Sequence, residues 1–358
     1  MTQIHHGAHA AVPAPATTPD TVDGSAGAFL DVRNLSVGFP TDDGMISAVN
    51  GMDFTLERGQ TLGIVGESGS GKSVTSQALM GLLKGTSAQV SGQVLFDGKD
   101  LITLAEAGMR QLRGRNIGMI FQDPLSALHP FYTVGHQIAE AYLVHHQASR
   151  KQARSAAINM LGRVGIPSPE QRYGEYPHHF SGGMRQRAMI AMALICEPEL
   201  LIADEPTTAL DVTVQAQILD LMAELQAETN SALILITHDL GVVAEVCDSV
   251  LVMYGGQCVE TGPVDEIFHD TRHPYTLGLL NSMPTLAGNS GRLSPIPGQP
   301  PSLLELPPGC IFRSRCDYAA LAGPDVCREH RPELLVEDGH GKRCHLTSPQ
   351  IITIRTSR

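Results

Sequence analysis

Apolar and polar residues alternate in two stretches near the start of the chain, at residues 29–37 and 48–56. Alternation with a period of two is typical of strands that bury one face, and the polar segment Thr41–Gly44 between them has the composition of a turn. Continuous apolar runs follow at residues 62–65, 117–121, 200–203 and 232–237. Short runs of this kind are typical of strands covered on both faces, as in a parallel sheet. The pattern predicts an α/β fold with a core sheet, helices and an antiparallel β edge.

Helical periodicity occupies segments between these runs. Val74, Ala78 and Leu79 follow the spacing of a helix with one apolar face. Residues 124–180 are rich in Ala and His and helical in pattern, with interrupting prolines, and we interpret them as a helical insertion between strands. Residues 1–28 contain no Lys or Arg and no apolar stretch, so they lack the features of a signal peptide and are expected to form a disordered tail.

The composition narrows the class of protein. The 358 residues include 25 Lys and Arg against 37 Asp and Glu, and the net charge of −12 argues against a nucleic-acid-binding surface. No run approaches the ~18 apolar residues that a membrane-spanning helix needs. The seven cysteines do not resemble a secreted disulfide framework. These features favour a cytoplasmic globular protein.

A glycine-rich segment joins the first continuous apolar run to the helix that follows it. Its glycines can curl the backbone so that N–H groups point inward, and the helix start adds unpaired N–H groups and the positive end of its dipole. Such a loop binds phosphate groups. Lys72 would reach the β- and γ-phosphates of a nucleotide, and the Ser73 hydroxyl would hold Mg²⁺. The residues expected to bind nucleotide here are Gly66, Glu67, Ser68, Gly69, Ser70, Gly71, Lys72 and Ser73.

Polar side chains stand directly after three of the apolar runs, at strand ends where ligands bind in α/β sheets. Gln122 is placed to reach Mg²⁺ or the attacking water. Asp204 is placed to hold Mg²⁺, and Glu205 to polarise a water for attack on the γ-phosphate. His238 follows the next run and can contact a γ-phosphate. With a phosphate loop upstream, these residues predict a site that hydrolyses a nucleotide.

Two further features fit a nucleotide site. Ser181, Gly182 and Gly183 open a helix with an N-cap serine and two glycines whose N–H groups are accessible to an anion. Phe39, near the first predicted turn, can stack on a nucleotide base. A capped helix or an isolated aromatic residue is more often purely structural, so both assignments depend on the phosphate loop and the strand ends.

In their combination and order, these motifs resemble those of an ATP-binding-cassette (ABC) ATPase over about residues 29–262. The resemblance implies that Phe39 stacks on adenine, that Glu205 is the catalytic base and that His238 is the switch histidine. It also implies that the segment Ser181–Gly183 binds the ATP held by a partner cassette, so that two cassettes sandwich two nucleotides.

The same resemblance places Asp211 in the nucleotide-binding set and counts Lys72 and Gln122 among the catalytic residues. One departure from the family pattern is Met184, which stands where many relatives carry Gln. The contact of that amide is lost, whereas the serine hydroxyl and the glycine N–H donors remain.

The segments Gly66–Lys72, Phe180–Arg187 and especially His273–Thr276 resemble the ATP-binding subunits of the dipeptide, oligopeptide and nickel uptake group. The last of these segments starts that group's C-terminal extension, which we place at residues 263–345, with 346–358 as a tail. The resemblance implies ATP and Mg²⁺ as cofactors and a peptide importer as the assembly. Its other members would be a second cassette that is a different chain, two membrane permease subunits and an extracytoplasmic solute-binding protein. The chain would lie at the cytoplasmic face of the membrane, with no nucleic-acid partner.

Four cysteines lie within the extension. A disulfide is disfavoured in a cytosolic chain, and the uneven spacing lacks the paired knuckles typical of zinc sites. Unlinked thiols and an iron–sulfur cluster are the other possibilities, and basic residues nearby in sequence would offset the negative charge of a [4Fe–4S] cluster. The layout resembles the extension of the peptide-importer cassettes, which implies such a cluster in a structural or redox-regulatory role. The cysteines are Cys310, Cys316, Cys327 and Cys344, and the basic residues are Arg313, Arg315, Arg328, Lys342 and Arg343.

Other functional classes fit the sequence less well. Cassette proteins acting on ribosomes normally carry two cassettes on one chain, chromosome and repair ATPases need long heptad-repeat arms, and GTPases show a guanine-reading Asn-Lys-x-Asp motif. The alternatives left open are a nickel importer, a non-transport ABC ATPase and a module that binds ATP without hydrolysis. The presence of both Lys72 and Glu205 disfavours the last of these.

Overall fold

The computed structural model describes residues 28–207, 210–283, 296–323 and 325–356. Apart from residue 28, the expected disordered tail lies outside the described residues. Across the described ranges the chain forms two β-sheets with helices packed around them, which confirms the predicted α/β fold. None of the helices in these ranges combines the length and the apolar character needed to cross a membrane.

The larger sheet carries the predicted parallel core. Its strand order is β11-β12-β10-β9-β3-β8-β7-β6, and the strands from β9 to β6 run parallel. Every residue of β3, β7 and β8 is buried, as expected for strands covered on both faces. The described strands are β1 Leu30–Thr41, β2 Gly44–Leu56, β3 Thr61–Val65, β4 Gln89–Phe96, β5 Lys99–Asp100, β6 Ile117–Ile120, β7 Leu200–Asp204, β8 Ala232–Ile236, β9 Ser249–Tyr254, β10 Gln257–Pro263, β11 Leu335–Glu337 and β12 His340–Lys342.

The smaller sheet is antiparallel, with the order β2-β1-β4-β5. It is the β edge that the alternating pattern predicts. The inward residues Leu30, Val32 and Leu35 of β1 pack in one hydrophobic cluster with Leu62 and Ile64 of β3. This shared core fixes the antiparallel sheet next to the strand that leads into the phosphate loop.

The helices between β6 and α7 occupy the stretch in which the sequence predicts a helical insertion. A capping box at Ser149 and Gln152 starts α5, which explains the break after α4. The described helices are α1 Lys72–Leu79, α2 Glu106–Leu112, α3 Pro124–Ala127, α4 Val134–His145, α5 Arg150–Arg163, α6 Pro169–Arg172, α7 Gly182–Leu194, α8 Val212–Thr229, α9 Leu240–Val246, α10 Val264–His269, α11 Pro274–Asn281, α12 Val326–Glu329 and α13 Ser348–Thr356.

The C-terminal region is joined to the larger sheet. Strand β12 pairs with β10, and β11 pairs with β12, so the hairpin extends one edge of the sheet. Buried Glu260 of β10 accepts a hydrogen bond from Thr271 Oγ1 at 3.0 Å and lies 2.8 Å from His340 Nε2. The stretch taken as a tail contains α13, with Ile351 and Ile354 buried. The extension and the main fold therefore share one sheet.

Candidate nucleotide site

The phosphate loop lies between the end of β3 and the start of α1. Two of its glycines lie too close to neighbouring backbone to carry a side chain. A Cβ on Gly66 would lie 2.2 Å from the carbonyl oxygen of Met253, and one on Gly71 would lie 2.3 Å from that of Ala48. Both glycines have positive φ, +154° and +102°. The glycine spacing in the sequence therefore reflects a close approach of the loop to two neighbouring backbone segments.

The middle of the loop has room on its outer side. Ser68 and Gly69 are exposed, and a Cβ on Gly69 would meet no atom within 4 Å. The N–H of Ser70 donates to the Glu67 carbonyl at 3.2 Å and closes a tight turn. The buried Ser70 hydroxyl has no hydrogen-bond partner among the described residues. The exposed Ser68 and Gly69 therefore leave room for a ligand on the outer side of the loop.

Lys72 is the first residue of α1, and its ammonium group turns back to the loop. Its Nζ donates to the carbonyl oxygens of Gly66 at 2.7 Å and Glu67 at 3.0 Å. Burial lowers the pKa of Lys72, an effect that the carboxylates of Glu205 and Asp204 oppose. Both of these hydrogen-bond acceptors are neutral carbonyls, and an anionic phosphate oxygen would be a stronger partner for the ammonium group.

The carboxyl group of Asp204 is buried at the end of β7. Burial raises the pKa of Asp204, against a hydrogen bond from the Ser73 hydroxyl. Its Oδ1 has no hydrogen-bond partner in the described part of the chain. A buried carboxylate oxygen is costly unless a donor or a cation meets it. The paired oxygens of Ser73 and Asp204 therefore fit Mg²⁺, which prefers oxygen ligands.

Glu205 is brought together with two other predicted residues because β6, β7 and β8 are neighbours and end at the same edge of the sheet. Gln122 Nε2 donates to Glu205 Oε2 at 2.9 Å, and His238 Nδ1 lies 3.5 Å from Glu205 Oε1. Glu205 has a left-handed backbone, φ +49°, and its N–H donates to the Ile236 carbonyl at 2.8 Å. The three side chains form one cluster, as the strand-end pattern predicts.

The second glycine motif lies at the start of α7. The Ser181 hydroxyl caps the helix by accepting the Met184 N–H at 3.3 Å. A Cβ on Gly182 would meet nothing within 4 Å, and one on Gly183 would lie 3.4 Å from Leu210. In the described part of the chain these contacts lie on α7 and just before α8, not on the phosphate loop. The structure thus presents two separate glycine-lined surfaces.

Asp211 and Phe39 have structural partners of their own. The Asp211 carboxylate caps α8 by accepting the Val214 N–H at 3.0 Å. Phe39 lies on β1 opposite Ile46 of β2 and is half-buried against the core of the antiparallel sheet. Neither contact tests a role in nucleotide binding, so both assignments stay predictions.

Comparison with known proteins supports the same family. The ABC transporter family model matches residues 49–208, and the model for the oligopeptide/dipeptide transporter C-terminal region matches residues 259–321. The dipeptide transport ATP-binding protein DppD of Bacillus subtilis is 54% identical over 319 residues, 88% of this chain and 94% of that protein. This chain belongs to the ABC family of dipeptide and oligopeptide transport ATP-binding proteins. The oligopeptide transport ATP-binding protein OppD of Haemophilus influenzae is also 54% identical, over 81% of this chain and 90% of that protein.

Solved structures of ABC cassettes share the fold. The cassette cbiO1 of Clostridium perfringens, part of the ABC transporter complex cbiONQ, is 33% identical with a TM-score of 0.57 over 68% of this chain and 92% of that one. A bacterial ABC transporter cassette solved as a dimer is 25% identical with a TM-score of 0.60 over 66% of this chain and 98% of that one. The predicted ABC-type fold is thereby confirmed, and members of this family bind ATP with Mg²⁺.

In this ABC chain, the extension contacts the phosphate loop at a point that sequence reasoning misses. The guanidinium of Arg315 donates two hydrogen bonds to the Glu67 carboxylate, at 2.6 and 2.9 Å. The Tyr275 hydroxyl accepts the Glu67 N–H at 2.9 Å. Arg315 and Glu67 lie 248 residues apart, and no local pattern joins them. In the sequence, Tyr275 stands out only as part of the His-Pro-Tyr-Thr motif, which does not indicate its contact with Glu67.

The predicted [4Fe–4S] cluster is wrong. Among the described residues no group of three or more His, Cys, Asp or Glu side chains is arranged to hold a metal ion. All four cysteines of the extension are free thiols, and burial raises their pKa, to about 11 for Cys316 and about 12 for Cys344. Moreover, Arg315, expected to offset the charge of a cluster, pairs with Glu67 instead.

Proposed function

We propose that this chain is the ATP-hydrolysing subunit of an importer of dipeptides or oligopeptides, with a cassette at about residues 29–262 and an extension at 263–345. The observation that carries the proposal is the convergence of the phosphate loop with the Asp204 and Glu205 strand end. The relatives named for peptide transport match this chain through the extension as well as the cassette. A nickel importer and a non-transport ATPase gain no support from these relatives.

The proposed roles follow from the contacts at the strand ends. Lys72 would exchange its two loop carbonyls for β- and γ-phosphate oxygens, and Ser73 with Asp204 would hold Mg²⁺, which supplies neutralising charge when bound. Glu205 would accept a proton from the attacking water. Its carboxylate is already oriented by the Gln122 amide and lies beside His238. This arrangement is what a general base needs: a fixed acceptor at the edge of the phosphate site.

The residues Ser181, Gly182 and Gly183 would complete the site of a second cassette. Their contacts lie away from the phosphate loop of the same chain, and the two glycines are open at the helix start. Backbone N–H groups at such a start bind anions. We therefore assign them to the ATP of the partner cassette, with Phe39 as the adenine platform of the chain's own site and Asp211 beside the shared interface.

The assembly proposed around this chain contains a second cassette that is a different chain, two membrane permease subunits and an extracytoplasmic solute-binding protein. The chain would lie at the cytoplasmic face of the membrane, where ATP is available. A surface for the permeases is the helical insertion near Gln122, where Phe131, Tyr132 and Val144 are exposed. Large exposed apolar side chains favour a protein contact. ATP binding would close the cassettes, and hydrolysis would reopen them.

The test is Glu205→Gln in the chain assembled with its partner cassette and permeases. The amide keeps the shape of the side chain but cannot accept a proton, so steady-state hydrolysis should fall by about 10²–10⁴-fold while ATP binding is retained. Glu224→Gln is the matched control, because Glu224 is an exposed residue of α8 away from the strand ends. Hydrolysis at the wild-type rate in Glu205→Gln would refute the assignment.

The cargo needs a separate measurement. The assembled transporter in proteoliposomes, with its solute-binding protein outside, should take up a labelled dipeptide or oligopeptide in an ATP-dependent manner. Uptake of nickel without uptake of peptide would contradict the proposed cargo and leave the ATPase assignment standing.

A further inference from the structure

The pair between Arg315 and Glu67 is built more rigidly than a surface ion pair. Both nitrogens of the guanidinium fork bond both oxygens of the carboxylate, at 2.6 and 2.9 Å. The Arg315 side chain is only 4% exposed and that of Glu67 is 28% exposed. Arg315 Nε also donates to the Pro297 carbonyl at 2.8 Å, and Cζ lies 5.7 Å from the centre of the Tyr254 ring. A bidentate pair with a buried, multiply held arginine restricts both partners.

The second contact to Glu67 comes from α11. The Tyr275 hydroxyl accepts the Glu67 backbone N–H at 2.9 Å. Tyr275 is fully buried, and its ring packs against those of Tyr254 and Phe312, with centroids 4.6 and 5.4 Å away. Leu279, further along α11, helps to line a cavity beside the phosphate loop. The extension therefore holds Glu67 by its backbone and by its side chain.

Glu67 is also the residue through which Lys72 contacts the loop. Lys72 Nζ donates to the Glu67 carbonyl at 3.0 Å and to that of Gly66 at 2.7 Å. The Glu67 N–H that Tyr275 accepts and the Gly66 carbonyl that Lys72 contacts belong to one planar peptide unit, so Tyr275 and Lys72 hold its two sides, while Arg315 holds the side chain of Glu67. A shift of this peptide would move an atom that orients the lysine and would change the curvature of the loop at its first turn.

We propose that Arg315 and Tyr275 are positioning residues through which the C-terminal extension sets the affinity of the phosphate loop for nucleotide. This inference rests on the proposed function in one respect, namely that the loop binds nucleotide phosphates. The alternative is a contact that only stabilises the fold. The two differ in what the pair controls: a positioning role changes the dissociation constant for nucleotide, whereas a structural role changes the melting temperature alone.

The experiment measures binding of MgADP and MgATP to the full-length chain by titration calorimetry, with the melting temperature of each variant recorded without nucleotide. Arg315→Met and Tyr275→Phe should each weaken binding roughly three- to tenfold, the change that one net hydrogen bond corresponds to. Arg315→Lys keeps the positive charge but loses the two-pronged guanidinium contact, so it should weaken nucleotide binding as well. If Arg315→Met fails to fold, Arg315→Lys still tests the inference.

Arg343→Met is the matched control. Arg343 lies in the extension and donates to the carbonyls of Cys258 at 2.8 Å and Pro332 at 3.4 Å, so its loss should lower the melting temperature without changing the dissociation constants. A double variant, Glu67→Gln with Arg315→Met, tests the pair directly. Because both single changes break the same ion pair, the loss of affinity in the double variant should be smaller than the product of the two single losses.

Three results would overturn the positioning role of Arg315 and Tyr275. Unchanged dissociation constants in Arg315→Lys and Tyr275→Phe, with wild-type binding intact, would overturn this inference and leave the proposed function standing. Losses that multiply in the double variant would also overturn it, because independent effects do not come from one shared contact. A wild-type chain that binds neither nucleotide would overturn both proposals together.

Discussion

The protonation of His273 should make the stability of this chain fall at mildly acidic pH. His273 is buried, and its Nδ1 accepts the Tyr275 N–H at 3.0 Å as the N-cap of α11. Burial lowers the pKa of His273 to about 4; the Glu260 carboxylate and a hydrogen bond to the Arg343 backbone oppose this effect, whereas the charges of Arg343 and Lys342 add to it. A protonated Nδ1 cannot accept a hydrogen bond, so the cap exists only in the neutral form.

The size of the effect follows from the two pKa values. His273 titrates near 6.5 in the unfolded chain and near 4 in the folded one, so between these values the unfolded state binds more protons. The contribution of neutral His273 to the free energy of unfolding is therefore fully present above pH 6.5 and is lost as the pH falls toward 4. A shift of this size corresponds to about 3 kcal/mol in total, and to about 2 kcal/mol between roughly pH 7.5 and pH 5.

The assay compares urea unfolding of the wild type and His273→Asn, followed by circular dichroism across this pH range. Asparagine keeps an acceptor for the Tyr275 N–H but does not titrate. The variant should be less stable than the wild type at neutral pH, since it changes a buried side chain. On acidification, however, its free energy of unfolding should fall by about 2 kcal/mol less than that of the wild type. Other histidines and carboxylates cancel in the difference between the two proteins. Equal pH dependence in both would refute the reasoning.

Two further predictions address the nucleotide site. Lys72→Ala should weaken nucleotide binding to the isolated chain, because it removes the only side-chain cation that contacts the loop carbonyls within the described residues; unchanged affinity in calorimetry would contradict the phosphate role. Ser181→Arg should spare binding by the isolated chain and abolish hydrolysis in the assembled complex, because its target is the ATP of the partner cassette. Full ATPase activity of the isolated chain as a monomer would show that the composite site is wrong.

The strand-end cluster was predictable because each of its parts is local. A continuous apolar run fixes a strand, and the residue after the run then lies at the strand end. The parallel arrangement brings Gln122, Glu205 and His238 to one edge without any information about distant contacts. The same holds for the phosphate loop, whose glycines are explained by two close backbone approaches.

The extension was less predictable because its contacts are remote in sequence. Arg315 lies beside cysteines in the sequence, and an arginine near thiols suggests that it offsets the negative charge of a metal cluster. Its partner is Glu67, however, which lies 248 residues earlier, and the packing that excludes water from the guanidinium is assembled from several separate segments. The cysteine layout was misleading for a related reason: spacing along the chain does not reveal how side chains are arranged in space, and among the described residues they form no group that could hold a metal ion.

The different roles proposed for Asp204 and Glu205 follow from where β7 ends. Asp204 is still paired with Ile236 in the sheet, so its short side chain stays buried beside Ser73, and one of its oxygens has no hydrogen-bond partner among the described residues. At Glu205 the backbone leaves the strand with φ +49°, and its longer side chain meets the amide of Gln122. A buried, unpartnered oxygen suits a cation, whereas a less buried carboxylate oriented by a neutral donor keeps acceptor capacity for water. Two adjacent carboxylates thus lie in different surroundings because a single residue step separates the sheet interior from its edge, and the roles proposed for them follow from that difference.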